Sequence, residues 1–143
     1  MDITEKDQRL LALLRENARL PVSEIARRLS VSRTAAQMRL EKLERNGVID
    51  GYSIRLSSEF LREQVRALVM IKSPPATRSR IEKALSDIPQ LTSLYSISGA
   101  FDLSAVISAR SVGELDKIID EIGRIDGVVD TMSSVILSTK IDR

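Results

Sequence analysis

Residues 21–49 read PVSEIARRLSVSRTAAQMRLEKLERNGVI, and this stretch decides the fold of the first third of the chain. Val22, Ile25, Ala26 and Leu29 recur at i, i+3, i+4 and i+7, the spacing that puts apolar groups on one face of a helix. Ser30-Val31 interrupts the pattern, with Val31 apolar enough to fill the angle between two helices. Ser32 stands where an N-cap is wanted, because its hydroxyl accepts a backbone N–H that the first helical turn leaves unpaired. Ala36, Leu40 and Leu43 repeat the apolar stripe, and Gly47 follows as a residue able to take positive φ at a helix end. Two short helices joined by a tight turn make a helix-turn-helix. Arg33, Thr34, Gln37, Met38 and Arg39 are left facing outward.

Charge is concentrated on the same stretch. The whole chain holds 22 basic and 20 acidic residues, so its net charge says little. Residues 27–45 hold six bases (Arg27, Arg28, Arg33, Arg39, Lys42 and Arg45) against Glu41 and Glu44. A basic stripe on helices that would meet a groove is the footprint of a protein that binds double-stranded DNA. The competing reading is a solvated face with Glu41 and Arg45 paired at i, i+4. In the DNA reading, Arg33 suits the O6 and N7 of guanine, and Gln37 suits adenine or a bridging water. Ser32 and Thr34 suit phosphate at the helix N-terminus. Arg28, Arg39 and Lys42 suit phosphate as well, though an intramolecular bond to an acid fits Arg39 equally. Met38 either touches a thymine methyl or fills a gap against the core.

Composition excludes several classes. The chain of 143 residues has no Cys and no His, which removes disulfides, thiolate chemistry, structural zinc and imidazole catalysis. No nucleophile–base pair with sensible spacing stands out, so an enzyme is not expected, and neither is a metal or cofactor. A charged N-terminus and apolar runs shorter than a membrane span predict a cytoplasmic protein without membrane partners.

Upstream of the motif, Thr4 and Asp7 form a shortened capping box for a helix burying Leu10, Leu11, Leu13 and Leu14. Three helices then make a domain over residues 1–50, winged-helix-like in outline. Gly51–Leu56 alternates with period two and predicts a strand, and Ser57–Gln64 a hinge, so that 51–64 reads as a linker. Val65–Lys72 predicts a strand, Thr77 onward a helix with Ile81, Ala84, Leu85 and Ile88 inward, and Leu91–Ile97 and Leu103–Ser108 two further strands. Ser111 with Glu114 caps a helix carrying Leu115, Ile118, Ile119 and Ile122, and a last strand runs from Gly127 to Leu137. IEKALSDIPQL at 81–91 matches LDKIIDEIGRI at 115–125 without gaps, an echo at an offset of 34 residues. The order β-α-β-β-α-β is the ferredoxin-like split βαβ, so residues 65–143 form a second domain and the fold class is α+β. Both helices lie on one face of such a sheet, and the bare face calls for a second copy of the chain.

With both halves read, the chain resembles the Lrp/AsnC (feast/famine) family of transcription regulators. TEKDQRLLALLRENAR, SEIARRLSVSRTAAQMRLEKLERNGVIDGYS, the SISGAFDL turn and GVVDTMSSVILSTKI carry the resemblance almost end to end. Ser30, where the family commonly has Gly, and Pro21, where it has a hydroxylic cap, are departures. The resemblance implies a sequence-specific DNA-binding regulator that assembles through dimers into tetramers or octamers. It also implies an amino-acid effector bound by the C-terminal domain at a subunit interface. Candidate effector residues are Ser98, Gly99, Ala100, Phe101 and Asp102, with Thr131, Ser133 and Ser134 from a neighbouring subunit. Asp102 would hold the ammonium. Phe101, Leu103 and Met132 would favour an apolar amino acid such as leucine or methionine. Gly and Asp are also what any β-turn uses. The alternative function is an architectural protein that wraps DNA without an effector.

Overall fold

Thr4 and Asp7 open the fold with a reciprocal cap. In the computed structural model, which describes residues 2–142, Asp7 N donates to Thr4 Oγ1 at 3.2 Å and Thr4 N donates to Asp7 Oδ2 at 2.9 Å. The cap starts α1 (Glu5–Glu16), followed by α2 (Val22–Leu29) and α3 (Arg33–Arg45). Ser30 takes φ 56°, the left-handed conformation that usually selects glycine. Val31 N donates to Ala26 O and Ser30 N to Arg27 O, which satisfies two carbonyls at the end of α2 and packs Val31 onto the core. The same pair of bonds closes α3, with Gly47 at φ 72°. Leu10, Leu14, Ile25, Ala26, Leu29, Ala36 and Leu43 form the core of this helical unit, with Leu20, Val22 and Leu40 against it. Both the turn and the cap are as the sequence predicts.

The unit continues to Arg55, and Ile141 and Asp142 group with it. The strand expected at Gly51–Leu56 is not formed: these residues pair with no strand among the described ones. The segment is tied down by two polar contacts instead. Tyr52 Oη donates to Glu44 Oε1 at 3.2 Å, and Arg55 Nη2 donates to the carbonyl of Glu16 at 2.9 Å. Part of the expected hinge at 57–64 is a short helix, α4 (Ser58–Leu61), capped by Ser57, whose Oγ accepts from Phe60 N at 3.1 Å.

The second unit, Leu56–Lys140, holds β1 (Val65–Lys72), α5 (Arg78–Ser86), β2 (Leu91–Ser96), β3 (Leu103–Ala109), α6 (Val112–Gly123) and β4 (Asp130–Ile136). A 3-10 turn at Pro75–Thr77 precedes α5, so the helix starts one residue later than its sequence suggests. The sheet order is β2-β3-β1-β4 with every neighbouring pair antiparallel, the ferredoxin-like arrangement. Period-two alternation divides its two faces. Ala67, Val69 and Ile71 of β1 pair with Ile107, Ala105 and Leu103 of β3, all buried beneath Ile81 and Leu85 of α5 and Leu115, Ile118 and Ile122 of α6. The internal echo thus corresponds to two helices that share one core. On the opposite face Leu68 pairs with Val106 and Met70 with Met132, and no element of this unit covers them. Leu68, Tyr95 and Met132 are left exposed there.

Gly127 is required by its surroundings. It takes φ 98°, and a Cβ at this position would lie 2.7 Å from Thr77 Oγ1. The close approach seats the loop before β4 on the start of α5.

Candidate nucleic-acid interface and ligand site

The outward face of α3 begins at a capped N-terminus. Ser32 Oγ accepts from Ala35 N at 3.1 Å, which leaves the amides of the first turn aligned on the helix axis. Arg33, Thr34, Gln37, Lys42 and Arg45 are exposed, and neither Arg33 nor Lys42 has an ion-pair partner among the described residues. Gln37 Nε2 donates to Glu41 Oε1 at 2.8 Å, so Glu41 is held by Gln37, and the Glu41–Arg45 pairing of the competing reading is not formed among the described residues. Met38 is 64% exposed, which rules out a gap-filling role. Arg45, seven residues beyond Met38 on the same helical face, belongs with this set, although the sequence marks it only as a charge.

Arg28, on α2, shares its acid with Arg27. Its Nε lies 3.0 Å from Glu24 Oε1, and Arg27 Nη2 lies 2.5 Å from the same oxygen. Hydrogen bonds from Arg27 and then Arg28 hold the Glu24 carboxyl down to about 2. The Arg27 side chain is mostly in solvent and that of Arg28 partly so; one acid serves two cations, and the group keeps a net positive charge.

Of the two roles open to Arg39 in the sequence, phosphate or an internal acid, the structure forms the second. Its Nη1 donates to Asp7 Oδ1 at 2.8 Å and to Thr4 Oγ1 at 2.9 Å. Asp7 is 1% exposed, inside the helical unit. Burial pushes the Asp7 carboxyl up. The amide of Thr4, the Arg39 guanidinium and the Thr4 hydroxyl push it down further and leave it below its ordinary value. The arginine turns away from the outward face because its helical position follows Met38 by 100°, toward α1. It fastens α3 to the N-cap of α1. Among the described residues Arg39 Nε is buried without a hydrogen-bond partner, a desolvation cost that the ion pair has to offset.

The second candidate site lies at one end of the sheet. Ser98, Gly99 and Ala100 are exposed on the turn between β2 and β3, and Gly99 takes φ 124°. Phe101 and Asp102 are half-buried. Asp102 is not a free carboxylate. Its Oδ2 accepts from the amide of buried Ser73 at 2.8 Å, and its Oδ1 lies 3.2 Å from Arg78 Nη2. Its own N–H donates to Ile71 O at 2.9 Å. Arg78 also donates to Ser73 O at 3.1 Å, so the turn, the end of β1 and the start of α5 meet in one polar knot. Arg78 and Ser73 were not anticipated from the sequence, since nothing local in either points to Asp102.

Within one protomer β4 divides the remaining candidates. Thr131 and Ser133 pair with Ile71 and Val69 on the helix-bearing face, whereas Ser134 pairs with Leu68 on the open face. Thr131 begins beside the end of β1 where the turn also lies. Ser133 and Ser134 point to opposite sides, so a single pocket takes one of them and not both. Phe101, Leu103 and Met132 do not form one wall: Leu103 is buried beneath the helices and Met132 lies on the open face.

Comparison with known proteins covers both units. An AsnC-type helix-turn-helix domain matches residues 3–44, and an Lrp/AsnC ligand binding domain matches residues 66–143. The HTH-type transcriptional regulator LysM of Saccharolobus solfataricus is 36% identical over 139 residues, covering 96% of each chain. E. coli AsnC superimposes with a TM-score of 0.88 at 26% identity, covering 100% of this chain and 97% of that one. A feast or famine regulatory protein from M. tuberculosis, solved in complex with L-methionine, gives a TM-score of 0.88 at 28% identity, covering 99% and 96%.

Proposed function

This chain belongs to the Lrp/AsnC family of transcriptional regulators, and we propose that it binds operator DNA through the outward face of α3 while its sheet unit assembles copies and senses an amino acid. The observation that carries the DNA reading is that face itself. It offers a capped N-terminus, exposed Arg33, Thr34 and Gln37 in the first turns, and Lys42 and Arg45 further along. Side chains early in a recognition helix meet base edges, and later ones meet the backbone. Arg33 and Gln37 therefore read bases. Ser32, Thr34, Arg28 and Lys42 hold phosphate, and Arg39 sets the pose of the helix from behind. The protein works as a regulator in the cytoplasm and not as an enzyme.

Assembly follows from the uncovered sheet face. Leu68, Met70, Val106 and Met132 suit a twofold contact in which each protomer covers its partner. The effector sits at the turn 98–102, near Thr131 and one of the β4 serines of a neighbouring subunit. Asp102 presents its remaining lone pairs to an ammonium from within the pair with Arg78. The methionine complex of the mycobacterial relative supports an apolar amino acid here. The engagement of Asp102 by Arg78 and Ser73 favours a second reading, in which the knot is purely structural and the protein wraps DNA without an effector.

The test is duplex selection followed by binding titration with the full chain. Arg33→Ala is expected to cost about 1–3 kcal/mol and to relax preference at one base pair of each half-site. An Arg33→Ala protein that kept the full base preference of the wild type would overturn the assignment.

A further inference from the structure

Met38 is the large apolar side chain that α3 does not bury. Ala36 and Leu43 lie in the core and Leu40 packs against it, so the inward stripe is complete without it. Among the described residues of α1–α3, Met38 is the one large hydrophobic side chain left exposed, at 64%. It stands in the middle of a polar face, with Thr34 one turn before it, Lys42 one turn after it and Arg45 two turns after it. Gln37 beside it is turned along the helix toward Glu41. Among the described residues this thioether belongs neither to the core of the helical unit nor to the side chains packed against it.

The major groove supplies a partner for it. Each base pair there shows a distinct set of donors and acceptors, and thymine alone adds an apolar group, its C5 methyl. Methionine is unbranched and flexible, and its side chain adapts to a small apolar contact. Resting on the reading that α3 enters the major groove, we propose that Met38 is a specificity-determining residue that recognises the C5 methyl of a thymine in each half-site. The contact lies about one turn further along the helix than the contact made by Arg33 and Thr34.

Deoxyuridine tests this directly, because it lacks only the methyl and keeps every hydrogen-bonding group of thymine. The full chain first selects its preferred duplexes from a randomised pool, and each thymine of the consensus is then replaced in turn. At one thymine per half-site, replacement is expected to weaken wild-type binding roughly fourfold, the value of burying one such carbon. Met38→Ala should bind the thymine and deoxyuridine duplexes equally at that position. Met38→Leu, which keeps an apolar side chain, should retain most of the difference. A consensus whose thymines all tolerate deoxyuridine would overturn the inference, as would an undiminished penalty in Met38→Ala. A pool in which no duplex is enriched would overturn the DNA reading beneath it as well.

Discussion

The helical unit buries what it must and keeps its chemistry outside, whereas the sheet unit buries one face and leaves the other for something else to cover. In the helical unit the core residues and the Asp7–Arg39 pair all lie inward, and the outward face of α3 is polar except for Met38. In the sheet unit α5 and α6 cover one side, and Leu68, Tyr95 and Met132 stay exposed on the other. The two units also use a buttressed carboxylate differently. The side chain of Asp7 is 2% exposed and anchors α3, while that of Asp102 is 32% exposed and sits at a turn open to solvent. Closure fixes the orientation of α3, and openness leaves the sheet face and the turn accessible.

The largest expected effect breaks the open face. Leu68→Asp would place a carboxylate on that surface, twice in a twofold assembly, at a cost of several kcal/mol for each unpaired buried charge. Light scattering should then give a protomer of 15.9 kDa where the wild type gives a multiple of it. An unchanged mass would show that assembly uses another surface.

Asp7→Asn tests the closed unit. Removing one partner of a buried ion pair costs roughly 3–5 kcal/mol, and the 26% exposure of Arg39 brings the expectation to about 2–4 kcal/mol in denaturant unfolding. The same carboxylate sets a pH dependence. Its folded value lies below the unfolded one near about 4. The contribution is therefore fully present above that unfolded value and is lost as pH falls through the folded one. Acid unfolding of the helical unit should begin below pH of about 4, and Asp7→Asn should flatten its slope.

Asp102→Asn sharpens the other half of the comparison at a smaller cost. The amide oxygen still accepts from Ser73 N–H, and loss of a partly exposed pair with Arg78 costs about 1 kcal/mol or less. Methionine should stabilise the wild type in a thermal-shift assay and leave Asp102→Asn unmoved, since a ligand stabilises what it binds. A full shift in the variant would remove Asp102 from the effector site, and no shift with any amino acid in the wild type would favour the architectural reading.

Local chemistry was legible in the sequence and distant pairing was not. The Thr4–Asp7 box, the Ser32 cap, the Gly47 helix end and the order of strands and helices each follow from residues within a few positions of one another. Arg39 and Asp7 are 32 residues apart, and Asp102 and Ser73 are 29 apart. Side chains at such separations meet only after the core has formed, so the sequence left Arg39 open between phosphate and an internal acid and did not disclose that Ser73 and Arg78 hold Asp102. Gly51–Leu56 failed for a related reason. Alternation marks a segment with two unlike faces, but a strand also needs a neighbour, and none of the described strands pairs with this segment.

The salt dependence of duplex binding tests the division between outward and inward cations most directly. Every phosphate that a variant no longer neutralises should reduce the slope of log K against log salt by about 0.9 for each protomer engaged. Lys42→Ala should show that reduction. A paired change, Asp7→Leu with Arg39→Met, which removes the inward ion pair as a unit, should leave the slope at its wild-type value. A slope that falls with the paired change and stays fixed in Lys42→Ala would contradict the account.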